Sequence, residues 1–153
     1  MPPVKVYIAG PDVFFPNARE LAAIAHAECE KRGLIALCPL DNALSATGGE
    51  ELAKEIFAAN VKMINDADAI CANLSPFRGP SGDAGTVWEV GYAFGLGKPV
   101  YAYTSSLCDY KARVSPDGFD IEDLGGFDNL MITQAVAAVS GTFGEALDRI
   151  CHE

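Results

Sequence analysis

The sequence alternates strictly between short β-rich runs and helical segments over its first hundred residues. Residues 4–9 form a β-rich run that ends at Gly10-Pro11, a helical segment follows to about residue 32, and residues 34–37 form a second run. Parallel neighbouring strands require a long crossover, which is usually a helix. This order therefore predicts a β-α-β unit.

The alternation continues to about residue 103, and its third strand carries the clearest signal. Residues 67–74 are almost uniformly apolar, which is typical of a strand covered on both faces. The other elements predicted after residue 40 are a helix ending near residue 66 with Thr47 and Glu50 as a capping box, a helix over 84–96, a strand over 99–103, a loop over 104–127, and helices over 130–139 and 143–151. We therefore expect an α/β fold, a doubly wound (flavodoxin-like) parallel sheet with helices on both faces, in a single domain of residues 1–153.

Composition and charge exclude several classes of function. The formal net charge of −10 would repel a phosphate backbone, so we expect no polymeric nucleic acid partner. No apolar run is long enough for a membrane span, no signal peptide is evident, and the five widely spaced cysteines resemble reduced thiols, so we expect a cytoplasmic protein. With two histidines in the chain, acid and base chemistry must fall to carboxylates.

Two carboxylates, Asp83 and Glu89, lie where the loop after the third strand turns into a helix. Sheets of this kind bind ligands beyond the carboxyl ends of their strands. Cleavage of a glycosidic bond by double displacement needs one attacking carboxylate and one proton donor, and this segment could supply the first. The alternative is a structural role, with Asp83 as helix N-cap and Glu89 as a first-turn acid. Helical periodicity favours that alternative, because a buried stripe of Val87, Val90 and Phe94 would leave Glu89 in solvent.

Four segments together resemble the nucleoside 2-deoxyribosyltransferase family. They cover nearly the whole chain and lie at residues 6–11, 72–79, 83–93 and 128–131. The resemblance implies a retaining double displacement, in which one nucleobase leaves a 2'-deoxynucleoside and a second resolves a covalent deoxyribosyl intermediate.

The resemblance also assigns chemical roles. It implies that Glu89 is the nucleophile, that the Tyr7 hydroxyl holds its carboxylate, and that Asp83 contacts the base and protonates it on departure. We expect Glu89 to stay ionised near a helix N-terminus. The alternative for Tyr7 is an ordinary core tyrosine. Asn60 falls near a second base-contacting position, where some members carry Asp; the alternative is a polar residue on the outer face of its helix.

Further residues are implied to bind substrate. Gly10, Asp12 and Phe14 belong to the loop after the first strand, where an aromatic side chain could stack on a base or simply pack on its own domain. Asn129 and Met131 match residues that the family places in the neighbouring subunit's site, with Asn129 on the sugar 5'-hydroxyl. The resemblance thus implies a homo-oligomer, a dimer or a hexamer. Asn129 is also well suited to cap a helix beginning at residue 130.

The expected partners are a 2'-deoxynucleoside and a free nucleobase, with neither a metal ion nor an organic cofactor. Two other functions compete with this one. A hydrolase of 2'-deoxynucleoside 5'-monophosphates would cleave the same bond, but its phosphate would meet repulsion from Asp83. A non-catalytic nucleotide-binding module is the other, since a fold does not fix a function. The sequence leaves open whether purines alone or both base classes are used.

Overall fold

A single parallel sheet of five strands forms the centre of the molecule. The computed structural model describes residues 1–153. The strands are β1 (Lys5–Ala9), β2 (Ile35–Leu37), β3 (Ala69–Asn73), β4 (Val100–Tyr103) and β5 (Ala138–Ser140). They pair in the order β2-β1-β3-β4-β5, and every pair is parallel. This confirms the predicted doubly wound parallel sheet.

Five helices cover the two faces of this sheet. They are α1 (Ala18–Glu30), α2 (Gly49–Asp66), α3 (Ala84–Gly95), α4 (Leu130–Ala135) and α5 (Phe143–His152). The helices α2, α3 and α4 share one hydrophobic cluster with the sheet, whereas α1 and α5 share the other. None of the helices has both the length and the apolar character that crossing a membrane requires.

Alternation along the strands divides the core between the two faces. On β1, Val6 packs toward α1 and α5, while Tyr7 packs toward α2, α3 and α4; both are fully buried. On β3, Ile70 and Cys71 divide in the same way, which explains why the third strand is apolar at nearly every position. The alternation also fixes the side of the sheet to which the Tyr7 hydroxyl points.

The predicted helix over 130–139 is wrong in its second half. Helix α4 ends at Ala135, Val136 is extended with φ −90° and ψ 140°, and the chain then forms β5 against β4. A strand of three residues has too little local pattern to be distinguished from a helix, and its pairing with β4 decides its conformation.

Helix starts also differ from expectation. The capping box of Thr47 and Glu50 is wrong, because α2 begins after Gly48 without a side-chain cap and Glu50 instead pairs with Lys54 at 2.7 Å. Helix α1 likewise begins without a side-chain cap, since its N-cap residue Asn17 makes no capping hydrogen bond. The chain instead enters α2 through two glycines: Gly48 is extended, and Gly49 has a φ of 66°, in the left-handed region that glycine adopts readily.

Candidate active site

Tyr7 and Glu89 meet between β1 and α3. The Tyr7 side chain is fully buried, and its hydroxyl donates a hydrogen bond to the Glu89 carboxylate. Glu89 lies in the second turn of α3, and the first turn of this helix contains no acidic residue. The expectations of a first-turn acid and of a solvent-exposed Glu89 are therefore wrong, because α3 is apolar around most of its circumference and turns Phe94, 60% exposed, outward instead.

The pKa of Glu89 is raised to about 7: burial raises it most, the hydrogen bond from Tyr7 opposes this rise, and the nearby charge of Asp83 adds to it. Burial and the facing carboxylate also raise the pKa of Tyr7 above its ordinary value, so its hydroxyl stays protonated. The expectation that the helix N-terminus alone would keep Glu89 ionised does not hold, because desolvation outweighs it. Glu89 consequently takes both protonation states near neutral pH.

Asp83 is the N-cap of α3. One carboxylate oxygen, Oδ2, accepts hydrogen bonds from the Thr86 amide and hydroxyl, both at 2.9 Å. The other oxygen makes no hydrogen bond within the chain. The side chain is only half-buried, so a cap and a ligand contact are compatible in this geometry.

The loops after β1 and β3 touch at Gly10 and Asn73. A Cβ added to Gly10 would lie 2.9 Å from the Asn73 Cβ, so only glycine permits this approach. The Asn73 amide donates to Asp12 at 2.8 Å, and its oxygen accepts from the Ser75 amide at 3.1 Å. Asn73, which the sequence did not single out, thus fixes Asp12 at the carboxyl edge of the sheet.

Phe14 contributes to an aromatic cluster on the same edge. Its ring stacks on Phe77 with centroids 5.8 Å apart and planes 13° apart. The guanidinium of Arg78 lies over both rings, at 5.1 and 4.8 Å. Phe14 remains 56% exposed and offers a free aromatic surface to solvent.

Asn60 lies half-buried on α2, not on its outer face. Its Oδ1 is buried and has no hydrogen-bond partner within the chain, and such an atom carries a desolvation cost of about 1–3 kcal/mol. One turn earlier, Phe57 packs on Trp88 of α3 with ring centroids 5.3 Å apart.

Asn129 and Met131 lie at the start of α4. The Asn129 side chain caps this helix by accepting from the Met131 amide at 2.9 Å, and it donates to Glu122 at 2.6 Å. The Met131 side chain is 71% exposed. Within one chain, therefore, the side-chain amide of Asn129 is hydrogen-bonded to neighbouring residues, whereas the Met131 side chain faces outward.

Two residues with several polar contacts escaped the sequence analysis. Asp128 is buried and accepts hydrogen bonds from the Ser81 hydroxyl, the Gly82 amide and the Asn129 amide. Arg113 donates to three carbonyl oxygens of the surrounding loops. The contacts of Asp128 with Ser81 and Gly82, and of Arg113 with Pro80, join segments more than 30 residues apart, and no local pattern in the sequence signals them.

The opposite face of the sheet holds a cavity of about 190 Å³. It is mostly apolar and touches Gly10 and Asp12 but neither Tyr7 nor Glu89, so we do not place the chemistry there. Close to it, His26, Cys38 and Asp41 bring three potential metal-ligand atoms within 4.8 Å of one another. A hydrogen bond of 2.9 Å between His26 and Asp41, together with one of 3.0 Å from the Cys38 backbone amide to Asp41, accounts for this proximity.

Comparison with known structures and sequences identifies relatives. The fold matches that of a 2-deoxyribosyltransferase from Leishmania mexicana with a TM-score of 0.85 and 34% identity, covering 99% of each chain. A 2-deoxyribosyltransferase from Bacillus psychrosaccharolyticus shares the fold at 24% identity and a TM-score of 0.66, over 94% of this chain and 90% of that one. A CMP N-glycosidase from Clostridium botulinum shares it at 15% identity and a TM-score of 0.55, over 97% of this chain and 99% of that one.

Comparison of the sequence adds a relative and a family match. An uncharacterised protein of Schizosaccharomyces pombe is 33% identical over 113 residues, which are 71% of this chain and 54% of that protein, so the chain spans about half of its relative's length. The sequence profile of the nucleoside 2-deoxyribosyltransferase family matches residues 6–131. With this match over most of its length, the chain belongs to the nucleoside 2-deoxyribosyltransferase family.

Proposed function

We propose that the protein exchanges the base of 2'-deoxynucleosides by a retaining double displacement, with Glu89 as the nucleophile. The observation that carries this proposal is the half-buried Glu89 carboxylate, which is held by the Tyr7 hydroxyl and has its pKa raised to about 7. A desolvated carboxylate with a single fixed donor is a more reactive nucleophile than a hydrated one. Perturbed carboxylates of this kind are concentrated at functional sites.

In the first step, a Glu89 oxygen forms a bond to the anomeric carbon C1' while the bond from C1' to the base nitrogen breaks. The bonding electron pair leaves with the base, and Asp83 supplies the proton that neutralises it. Because the sugar lacks a 2'-hydroxyl, positive charge develops more readily in its oxocarbenium-like transition state.

In the second step, a nitrogen of the incoming base attacks C1', and the ester to Glu89 breaks with its electron pair returning to the carboxylate. The incoming base transfers its proton to Asp83, which restores the acid for the next cycle. Two inversions leave the configuration at C1' unchanged. Water in place of the second base gives slow hydrolysis as a side reaction.

The Tyr7 hydroxyl has a distinct task in this scheme. Its hydrogen bond fixes one Glu89 oxygen and leaves the other for attack. The raised pKa of Tyr7 keeps the hydroxyl a donor throughout the cycle. While the ester exists, the hydroxyl donates to a neutral ester oxygen, which is a weaker acceptor. When the ester breaks, the hydroxyl donates to the carboxylate again, and this stronger hydrogen bond favours the breaking of the ester.

Substrate contacts are proposed by analogy with the family. Asp12, Phe14 and the close approach at Gly10 would form one wall for the base, and Asn60 would direct its unpaired Oδ1 to it. The outward-facing Met131, beside Asn129, supports donation of both residues to the site of a neighbouring subunit in a homo-oligomer.

The test is a product assay. The protein is incubated with 2'-deoxyinosine, and separately with its 5'-monophosphate, each with and without free adenine, and the products are separated by chromatography. Formation of 2'-deoxyadenosine supports exchange. Base release without exchange, or release only from the 5'-monophosphate, would favour an N-glycosidase instead, and no turnover would favour a binding module. Glu89→Ala is expected to abolish turnover while leaving the fold intact.

A further inference from the structure

Two side chains fasten the loop before α3 to the segment before α4. We call residues 80–82 and 127–129 the junction. Arg113 spans it by donating to the Pro80 carbonyl at 3.0 Å and to the Phe127 carbonyl. Asp128 spans it by accepting from both Ser81 and Gly82. Hydrogen bonds to both main-chain and side-chain groups therefore hold the two segments of the junction together.

Asp128 is the buried centre of this junction. It is only 2% exposed, yet its two oxygens accept three hydrogen bonds: from the Ser81 hydroxyl and the Asn129 amide at 2.7 Å on Oδ1, and from the Gly82 amide at 2.9 Å on Oδ2. No cation pairs with it. A buried carboxylate is tolerated only when its lone pairs are satisfied, so the three donors are held in a fixed arrangement around it.

The donors adjoin the residues that carry the chemistry. Gly82 directly precedes Asp83, and Asp83 caps the helix that carries Glu89. In the other segment of the junction, Asn129 directly follows Asp128. A displacement of the Asp128 carboxylate would move both the proposed acid of its own site and Asn129, which is proposed to reach the site of a neighbouring subunit.

We propose that Asp128 is a positioning residue for base exchange: its carboxylate holds the Asp83 loop in place in its own site and holds Asn129 in the position from which it would reach the site of a neighbouring subunit. This inference rests on the proposed function. Asp128 touches no substrate in this account and acts only through its neighbours. Because misplacement of a reacting group by about 1 Å costs on the order of 100-fold in rate, even a small shift of the junction is measurable.

The decisive variant is Asp128→Asn. It keeps the size and one acceptor of the side chain but turns a second acceptor into an NH₂ donor, which must face the N–H donor of either the Gly82 backbone or the Asn129 backbone. We expect kcat for exchange to fall about 10- to 100-fold, with a smaller change in KM. Ser81→Ala removes one donor and introduces no new polar group, so it is expected to lower kcat less.

A matched control separates positioning from loss of stability. Thr142→Ala removes the cap of α5, where the hydroxyl accepts from the Glu145 amide at 3.2 Å, far along the chain from the junction. This change lowers stability by a similar mechanism, the loss of a loop-to-helix hydrogen bond, yet it should leave kcat unchanged.

The experiment measures kcat and KM for the conversion of 2'-deoxyinosine to 2'-deoxyadenosine, with urea unfolding of each variant. A double variant, Ser81→Ala with Asp128→Asn, should lose no more activity than Asp128→Asn alone, since both act through one contact. Normal kcat in folded Asp128→Asn, or an equal loss in Thr142→Ala, would overturn the inference and leave the proposed function standing. If Asp128→Asn does not fold, unchanged kcat in Ser81→Ala overturns it instead. A wild-type protein without exchange would overturn both.

Discussion

Replacement of Glu89 by Gln should stabilise the folded protein, and increasingly so as the pH rises. The pKa of Glu89 lies at about 7 in the folded state, against an ordinary value of 4.5. Below pH 4.5 both the folded and the unfolded chain hold this proton. Between the two pKa values the unfolded chain loses it first, so the wild-type free energy of unfolding falls as the pH increases.

The size of the effect follows from the two pKa values. Each pH unit between them corresponds to about 1.4 kcal/mol, so the ionised carboxylate costs the folded state on the order of 3 kcal/mol above pH 7. Gln keeps an acceptor for the Tyr7 hydroxyl but cannot ionise. Burial of its amide has its own cost, which is the same at every pH, so the pH-dependent part isolates ionisation.

The assay is urea unfolding from pH 4.5 to 8.5 at one protein concentration, followed by the fluorescence of Trp88 and by circular dichroism. Trp88 is the single tryptophan of the chain. The stability of Glu89→Gln relative to wild type should rise by about 3 kcal/mol across this range. Glu30→Gln, at an exposed glutamate of α1, is the control and should show no such rise. If the stability of Glu89→Gln relative to wild type did not depend on pH, the raised pKa of Glu89 would be refuted.

Three further predictions concern activity and packing. The kcat/KM for exchange should rise with pH through about 7 as the nucleophilic carboxylate ionises, and Tyr7→Phe should move this limb to higher pH, because it removes the hydrogen bond that lowers the pKa. Asp83→Asn should slow exchange by about 100-fold at unchanged stability, since Asn caps a helix as well as Asp does. Gly10→Ala should destabilise the fold by about 1–3 kcal/mol and raise KM, because the new Cβ would lie 2.9 Å from Asn73.

Each of these has a matched control on the same chain. Tyr101→Phe removes a hydroxyl that bonds Glu153 at 3.1 Å and should leave the pH limb in place. Asp109→Asn alters another capping aspartate, which accepts from the Lys111 amide at 3.3 Å, and should leave the rate unchanged. Gly95→Ala adds a Cβ into open space and should not destabilise the fold. Equal effects in a variant and its control would contradict the corresponding prediction.

The fold could be predicted from the sequence where burial leaves a pattern. The unbroken apolar run of β3 reports burial on both faces, and glycine and proline mark the turns around β1. Strand β5 could not be predicted, because its three residues become a strand only by pairing with β4. The start of α2 was missed for a related reason, since Gly48-Gly49 and not Thr47 sets the entry of the chain.

The candidate site could be predicted only in part. The resemblance to the family singled out Glu89 and Tyr7, yet periodicity along α3 pointed to a solvated Glu89, because a helix that is apolar on most sides has no unique buried stripe. The raised pKa of Glu89 depends on desolvation, which no sequence pattern reports. The contact of Asp128 with Ser81 joins residues 47 positions apart and becomes visible only in the structure.

The central claim is that Glu89 becomes esterified to the deoxyribosyl group. The most direct measurement traps this ester with a slow fluorinated 2'-deoxynucleoside analogue, quenches the reaction, and determines the masses of the proteolytic peptides. We predict a mass increase equal to the fluorinated sugar on the peptide that contains Glu89, and none in Glu89→Gln. A label on a different residue, or no label on any peptide while turnover continues, would contradict the account.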